Sequence, residues 1–515
     1  MPSTLPALLF TSAEKHPHRP LFIHRGHELT YESAVQQCRA FGRALRELGV
    51  LEGDRVALVI NNRPEYPLAY YGALCAGATI VPLCPDTRRG TLLRALRHCE
   101  ARAVVIEPRN TKLLEACQSE LPELRAVISV GAPAKVDLGD AMPHLNIQTL
   151  LEGPDGPPST VSSESLAAIM YTSGTTAQPK GVMLAHRNLL ANTRSTVEYL
   201  HLNADERLAL VLPLFYSYGN SLLHTHIAAG GTLVDVGTVA FPAAVLRGIA
   251  QARCTGLSGV PSTFARLVHS KVMGEFDLSS LRYLTQAGGP MTPALTERVL
   301  AAFQNAELFV MYGQTEAAPR LTFLAPADLS RKLGSVGKAI PDVTLEVLDA
   351  AGKPVDVGAE GELVARGDNI MLGYFKDPEA TARALRPEGL RTGDLARVDD
   401  EGFITIIGRS SDMIKAGAHR IGPKEIEAVI EKLDGITECA VVGVPDELLG
   451  EAIAAFIVRT DGKGPSEKEI MRFCHEHLPR FKLPAHLVFV DTLPRTNTGK
   501  LRRSSLKSWQ PETKS

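Results

Sequence analysis

The chain contains the segment Ala76-Gly-Ala-Thr-Ile-Val81, in which a glycine separates the end of a helical pattern from a β-branched run. Around this segment, residues 56–106 alternate between strand and helix patterns, with strand patterns at 56–60, 79–83 and 103–106. Such alternation predicts a parallel sheet covered by helices and therefore an α/β fold.

The same pattern returns at residues 208–236, where Ala229-Gly-Gly-Thr-Leu-Val234 resembles the first segment. We interpret the two regions as related α/β layers, although a glycine helix stop before a strand also arises independently. From about residue 335 to 408 the pattern changes to short strands with glycine turns, which predicts a small β subdomain.

Beyond residue 409 a smaller module begins. Its first helix is predicted from Pro423 near the start, an apolar stripe that ends at Leu433, and Gly435 after the end. A later helix is predicted from the capping box Ser466-x-x-Glu469. We predict an N-terminal domain at 1–409, a hinge at 410–412 and a small mobile α+β domain at 413–515.

Length and composition exclude several classes of protein. The 515 residues are too many for one core, and 44% of them are hydrophobic, which is enough to fill two or more domains. A net charge of −2 without a basic block argues against nucleic acid as the partner. No apolar run is long enough for a transmembrane segment, and the start does not resemble a signal peptide. Eight scattered cysteines favour a cytoplasmic location.

A loop rich in hydroxyls follows the apolar run at 166–170. It reads Tyr171-Thr-Ser-Gly-Thr-Thr-Ala-Gln-Pro-Lys-Gly181. Glycine allows close approach to an anion, and hydroxyls, backbone N–H groups and a lysine can bind phosphate oxygens. The Walker A motif does not fit, because Pro179 replaces its second glycine and Gly181 its Ser or Thr. Taken alone, the loop fits a polar surface turn equally well.

Five further segments occur in a fixed order along the chain: Tyr312-Gly-Gln-Thr-Glu316, Gly361-Glu362, Thr392-Gly-Asp394 followed by Gly408-Arg409, Gly443-Val-Pro-Asp446, and Pro494-Arg-Thr-Asn-Thr-Gly-Lys500. With the hydroxyl-rich loop they make the chain similar to the adenylate-forming superfamily of acyl-CoA synthetases, adenylation domains and beetle luciferases. The resemblance extends over residues 10–505. It implies that a carboxylate attacks the α-phosphate of ATP, giving acyl-AMP, and that a thiol then displaces AMP.

The resemblance also implies residue roles. Tyr312 would stack on adenine near Gly288 and Gly289, while Asp394 would accept the ribose hydroxyls beside Arg409. The remaining residues that bind ATP would be Thr172, Ser173, Gly174, Thr175, Thr176 and Lys180. Singly, these residues also fit ordinary surface roles, such as an ion pair between Asp394 and Arg409.

The catalytic residues implied by the resemblance are four. Glu316 and Thr315 would hold Mg²⁺, and Lys500 would reach the α-phosphate in the first step. Rotation of the C-terminal domain about Ser411 would then bring Lys415 into place for the second step. The family usually has Asp or Lys at that pivot, and serine still permits rotation.

Several positions bear on the acid and on the thiol. Tyr216 replaces a histidine that is frequent in the family, and we interpret it as lining the pocket with Ser217, Tyr218, Ser258, Gly259, Ala287 and Gly313. The segment 257–261 with Ala287 predicts a small apolar wall. No Asp or Glu lies between Val211 and Ala228 to bind an α-ammonium group. An aliphatic or aromatic acid without a positive charge is therefore expected.

The acceptor thiol is expected to be CoA, which would reach the site along a tunnel beside Gly417 and Ala418. The phosphopantetheine of a separate carrier protein is the second candidate, and an amine acceptor is a more remote one. A binding protein that has lost catalysis is disfavoured, because Lys500, Glu316 and Asp394 are all present.

Overall fold

The computed structural model describes residues 2–509 except 118, 132–135, 137, 139–141, 173–179, 410–411, 417–418, 447–449, 461–463 and 496–500. The strands in this part of the chain are β1 Pro20–His24, β2 His27–Thr30, β3 Arg55–Val59, β4 Thr79–Pro82, β5 Ala101–Ile106, β6 Ala126–Ser129, β7 His144–Asn146, β8 Leu166–Thr172, β9 Lys180–Ala185, β10 Arg207–Leu210, β11 Thr232–Asp235, β12 Gly256–Gly259, β13 Tyr283–Gln286, β14 Glu307–Tyr312, β15 Thr322–Leu324, β16 Lys338–Ala339, β17 Val343–Leu348, β18 Gly361–Gly367, β19 Gly373–Tyr374, β20 Leu385–Arg386, β21 Gly389–Val398, β22 Ile404–Arg409, β23 Ile414–Ala416, β24 His419–Ile421, β25 Ile436–Asp446, β26 Gly450–Arg459 and β27 His486–Phe489.

The α-helices, in chain order, are α1 Leu5–Lys15, α2 Tyr31–Glu47, α3 Glu65–Cys75, α4 Arg89–His98, α5 Pro108–Thr111, α6 Ile147–Leu151, α7 His186–Tyr199, α8 Ser217–Ala229, α9 Pro242–Ala252, α10 Pro261–Val268, α11 Pro293–Ala302, α12 Pro326–Leu329, α13 Pro378–Ala384, α14 Pro423–Ile430, α15 Glu467–His477 and α16 Arg503–Lys507. None of the helices in the described ranges is both long and apolar enough to cross a membrane.

Two large sheets form the bulk of the molecule. One has nine strands in the order β16-β15-β14-β13-β12-β10-β11-β1-β2, and the other has eight in the order β19-β9-β8-β4-β3-β5-β6-β7. The strands from β14 to β1 in the first sheet and from β8 to β7 in the second are parallel, with antiparallel strands at the edges. This arrangement confirms the predicted α/β fold class.

The two sheets share one apolar core with the helices that pack against them. Helix α3 is buried along residues 66–75, which explains why its sequence is apolar all round. Its tyrosines reach the first sheet's layer: Tyr71 Oη lies 2.8 Å from His224 Nδ1 on α8, and Tyr66 Oη donates to the Leu214 carbonyl. Gly77 and Gly230, the predicted helix stops, both adopt a positive φ that favours glycine.

A third sheet contains β17, β18, β20, β21 and β22, and its strands pair antiparallel. Strands β16 and β19, which fall inside the predicted β subdomain at 335–408, pair instead with the first and second large sheets. The segment around Gly373 therefore connects the third sheet to β9.

The C-terminal module has a sheet of its own, with β25, β26, β23, β24 and β27. The capping box at α15 forms as predicted, because the Ser466 hydroxyl accepts from the Glu469 N–H and the Glu469 carboxylate accepts from the Ser466 N–H. Helix α14 ends at Ile430, earlier than its apolar stripe predicts. The N–H of Leu433 bonds to the Ile430 carbonyl, so the chain tightens into turns before Gly435.

Candidate active site

The candidate site lies at one edge of the first large sheet. Strands β12, β13 and β14 are parallel neighbours, so their carboxyl ends meet there. Gly259 ends β12, Ala287 follows β13 and Tyr312 ends β14, while β10 leads from the same edge to the start of α8. Ligands of open α/β sheets bind in the crevice outside these carboxyl ends.

Tyr312, Asp394 and Arg409 come together at this edge. The Tyr312 hydroxyl donates to Asp394 Oδ2 at 2.6 Å, and Arg409 Nε lies 3.4 Å from Asp394 Oδ1. Asp394 and Arg409 are direct cross-strand partners on β21 and β22. Burial, and next the Asp394 charge, raise the pKa of Tyr312 well above its usual value, so the phenol stays a neutral donor.

The backbone around Asp394 is held by the third sheet. The Thr392 hydroxyl donates to the Leu363 carbonyl and accepts from the Asp394 N–H. Glu362 accepts from the Gly393 N–H and pairs with Arg391 at 2.9 Å. These contacts explain the Gly361-Glu362 segment: it supports the strand that carries Asp394, which is only 6% exposed.

Glu316 and Thr315 lie in a short turn that follows β14. The Thr315 hydroxyl is 3.0 Å from the Ser217 hydroxyl, which joins this turn to the start of α8. Glu316 Oε1 accepts from the Tyr374 hydroxyl at 2.8 Å, and Lys180 Nζ lies 4.8 Å from the centre of the Tyr374 ring. Tyr374 was missed by sequence reasoning, because a single tyrosine after a glycine carries no signal of its own.

Carboxylate and hydroxyl oxygens of this kind are the ligands that Mg²⁺ prefers, so Glu316 and Thr315 fit the predicted metal. Among the described contacts, Tyr374 engages one carboxylate oxygen of Glu316 and orients the group. Glu316 and Thr315 would hold a bound Mg²⁺, which would neutralise phosphate charge.

The hydroxyl-rich loop connects two paired strands. Thr172, the last residue of β8, is the cross-strand partner of Lys180, the first residue of β9. The apolar run 166–170 forms most of β8. The remaining predicted phosphate-binding residues of this loop lie outside the described residues: Ser173, Gly174, Thr175 and Thr176.

Other predicted residues also fall on undescribed positions. Ser411, Gly417, Ala418 and Lys500 lie outside the described residues, and for Lys415 only the backbone, in β23, is described. Their roles stay predictions, as do the domain boundaries at 1–409, 410–412 and 413–515.

Gly288 and Gly289 are described and exposed; Gln286 Nε2 donates to the Gly289 carbonyl and so orders this turn.

The residues predicted to line the acid pocket include several hydroxyl groups in mutual contact. Tyr216, Ser217 and Tyr218 lie half-buried at the start of α8. The Tyr218 hydroxyl contacts the Thr285 hydroxyl at 2.8 Å, which in turn lies 2.7 Å from the Ser258 hydroxyl. The neighbouring strand β13 therefore contributes a buried hydroxyl beside Ser258, and the predicted small apolar wall stays a prediction. Burial, and next the nearby Cys84, raise the pKa of Tyr216.

Gly313 has no room for a side chain. A Cβ atom there would lie 2.0 Å from the Pro319 carbonyl oxygen and 2.8 Å from the Arg320 Cα. We expect Gly313→Ala to lower the free energy of unfolding by about 1–3 kcal/mol, since backbone must move. Displacing Thr315 and Glu316 by about 1 Å should also cost ~10²-fold in activity.

Urea unfolding and pyrophosphate release measure these two effects. Gly274→Ala is the matched control, because nothing lies within 4 Å of a Cβ at that exposed position. Equal stability and activity for the two variants would contradict the steric argument.

Two family models match the chain. One, described as AMP-binding enzyme, covers residues 9–375, and the other, described as AMP-binding enzyme C-terminal domain, covers residues 425–500. The feruloyl-CoA synthase of an Amycolatopsis species is 33% identical, over 96% of each chain. The medium-chain fatty-acid–CoA ligase of Escherichia coli (strain K12) is 32% identical, over 94% of this chain and 86% of the relative.

Among solved structures, the anthranilate CoA ligase AuaEII in complex with anthranoyl-AMP matches with a TM-score of 0.90. It is 26% identical, and the match covers 99% of this chain and 98% of that one. The structural match therefore includes the part of the chain that forms the candidate site, and it also includes the C-terminal module. The chain belongs to the AMP-binding enzyme family and, within it, to the ATP-dependent, AMP-forming carboxylate–CoA ligases.

Proposed function

We propose that the protein converts an aliphatic or aromatic acid without an α-ammonium group to its acyl-AMP and transfers the acyl group to CoA. The observation that carries this proposal is the set formed by Tyr312, which donates a hydrogen bond to Asp394, and Arg409, which forms an ion pair with it, at the sheet edge that also holds Tyr218. A nucleotide bound by Tyr312, Asp394 and Arg409 would place its α-phosphate near an acid held at the start of α8.

In the first step a carboxylate oxygen of the acid bonds to the α-phosphorus of ATP, and pyrophosphate leaves. Two anions must meet, so positioning and positive charge carry most of the catalysis. Asp394 has about four lone-pair sites, and Tyr312 uses one, which leaves capacity for both ribose hydroxyls. Lys180 and Lys500 would supply positive charge, and a bound Mg²⁺ would neutralise phosphate charge beside Glu316.

In the second step the sulfur of CoA attacks the acyl carbon and its thiol proton is released to solvent, while AMP leaves with the electron pair of the broken C–O bond. The C-terminal domain would turn about Ser411 between the steps. Lys500 would then withdraw while Lys415 approaches, and the thiol would enter beside Gly417 and Ala418.

The charge of the described pocket supports an acid without an α-ammonium group. The guanidinium carbon of Arg320 lies 5.1 Å from the centre of the Tyr218 ring, and residues 211–228 contain no carboxylate. An ammonium group there would meet a like charge with no counter-ion from α8. Repulsion in a buried environment is weakly screened, so amino acids should be poor substrates.

A panel of acids tests the function. We expect acid-dependent pyrophosphate release from aliphatic or aromatic acids, at least about 10²-fold above that from the matching α-amino acids, since binding the latter leaves a charge unpaired. Mass spectrometry should then find the acyl-CoA after CoA is added. A holo carrier protein is the alternative acceptor and is assayed in parallel. Acyl-AMP without a thioester from either acceptor would contradict the proposal.

A further inference from the structure

Arg320 is the largest fully buried side chain in the described part of the protein, with 1% of its surface exposed. It lies between the turn that carries Glu316 and strand β15. Its Nη1 donates to the Ser221 hydroxyl at 2.6 Å. Its Nε and Nη2 have no hydrogen-bond partner within the described ranges, so no carboxylate described there accepts from either nitrogen.

The backbone of Arg320 is held in place from two sides. Asn192 Nδ2 donates to the Arg320 carbonyl at 2.9 Å, and Asn369 Nδ2 donates to it at 3.2 Å. The adjoining Gly313 packs against the Arg320 Cα without room for another atom. The position of the side chain is therefore built into the fold and is not that of a mobile surface arginine.

The guanidinium lies beside the predicted acid pocket. It stacks against the Tyr218 ring at 5.1 Å, and the hydroxyl of the same tyrosine contacts Thr285. Ser217, the residue before Tyr218, bonds to Thr315 in the predicted catalytic turn. One continuous set of contacts therefore connects Arg320, the pocket wall and the place where the acid is activated.

A guanidinium stays charged inside a protein, and an unpaired buried charge is strongly unfavourable. The Tyr218 ring offsets only part of this cost through a cation–π contact. The two nitrogens without partners, Nε and Nη2, form one edge of the planar group. Their parallel N–H bonds match the two oxygens of a carboxylate in a bidentate pair.

We propose that the acid carries a second carboxylate, which Nε and Nη2 of Arg320 bind while the first carboxylate is adenylated. The substrate class is then a dicarboxylic acid, and the product is its mono-CoA thioester. This inference rests on the proposed acid-activating function and narrows it. The bound carboxylate keeps both oxygens and takes no part in bond making.

Matched pairs of acids test this inference with the full-length enzyme. Each pair contains a dicarboxylic acid and the monocarboxylic acid of the same chain length, together with the half methyl ester of the diacid. We expect kcat/KM, from pyrophosphate release, to favour one diacid over its two partners by about 10²-fold or more, because the neutral analogues leave the buried charge unpaired.

Variants then separate recognition from folding. Arg320→Met should lower kcat/KM for the preferred diacid by about 10²–10³-fold and leave the monocarboxylic acid unchanged or improved. For the preferred diacid, the kcat/KM of Arg320→Lys should lie between those of the unmodified enzyme and Arg320→Met. Lysine keeps the positive charge and loses the two parallel N–H donors of the guanidinium. Arg331→Met is the control: Arg331 stacks on Phe403 near the surface, and its loss should leave the preference intact.

The outcomes are distinguishable. Equal turnover of monoacids and diacids by the unmodified enzyme, or an equal loss for both in Arg320→Met, would overturn the second carboxylate and leave the acid-activating function standing. A preference for the half methyl ester would also overturn the second carboxylate, because it would show that a neutral ester group faces Arg320. Failure of every acid to release pyrophosphate would overturn the proposed function and this inference together. Even where a variant fails to fold, the comparison of diacids with monoacids and half esters in the unmodified enzyme tests whether the substrate carries a second carboxylate.

Discussion

Asp394→Asn is expected to lower kcat/KM for ATP by about 10²–10⁴-fold. The carboxylate is buried, accepts the Tyr312 hydroxyl and lies 3.4 Å from Arg409 Nε. An amide has one oxygen acceptor and presents N–H donors where ribose hydroxyls would donate, so two charge-assisted hydrogen bonds are lost. Each such bond contributes about 1.5–3 kcal/mol. Initial rates of pyrophosphate release at varied ATP measure the effect.

Tyr312→Phe is the matched control for this variant. It removes the hydroxyl that donates to the Asp394 carboxylate and keeps both the aromatic face and the carboxylate. The loss of a single hydrogen bond should cost about 10-fold or less. If Asp394→Asn affected the KM for the acid and not that for ATP, the assignment of Asp394 to the nucleotide would be contradicted.

Lys500→Ala is expected to lower acyl-AMP formation by about 10²–10³-fold, the usual effect of losing one preorganised charge. The reaction of preformed acyl-AMP with CoA should keep a rate close to that of the unmodified enzyme. The reason is that the predicted role of this lysine is to meet the α-phosphate in the first step only. Pyrophosphate release and thioester formation, measured separately, resolve the two steps.

Lys468→Ala serves as the control for Lys500, because Lys468 is an exposed lysine on α15 of the same C-terminal module. It should leave both steps unchanged. Equal losses in the two steps for Lys500→Ala would point to a general effect on the C-terminal module instead of a role at the α-phosphate. Normal adenylation would remove Lys500 from the mechanism.

Local patterns in the sequence predicted several of the described strands and helices. Strands 56–60 and 79–83 appear as β3 and β4, and the glycine stops at Gly77 and Gly230 have the backbone that was expected. These features depend on neighbours only a few residues away, so they can be read along the chain. Strand β19 was missed, because its pairing with β9 joins residues almost two hundred positions apart.

The sequence by itself therefore determined the α/β class, the family and the order of the motifs, because each depends on residue type and spacing along the chain. Only the tertiary structure showed that Tyr374 orients Glu316, that the Thr285 hydroxyl lies beside Ser258, and that Arg320 is buried without a counter-charge among the described residues. Burial and pairing are properties of contacts between distant segments. A lone arginine in a sequence looks the same whether a carboxylate faces it or not.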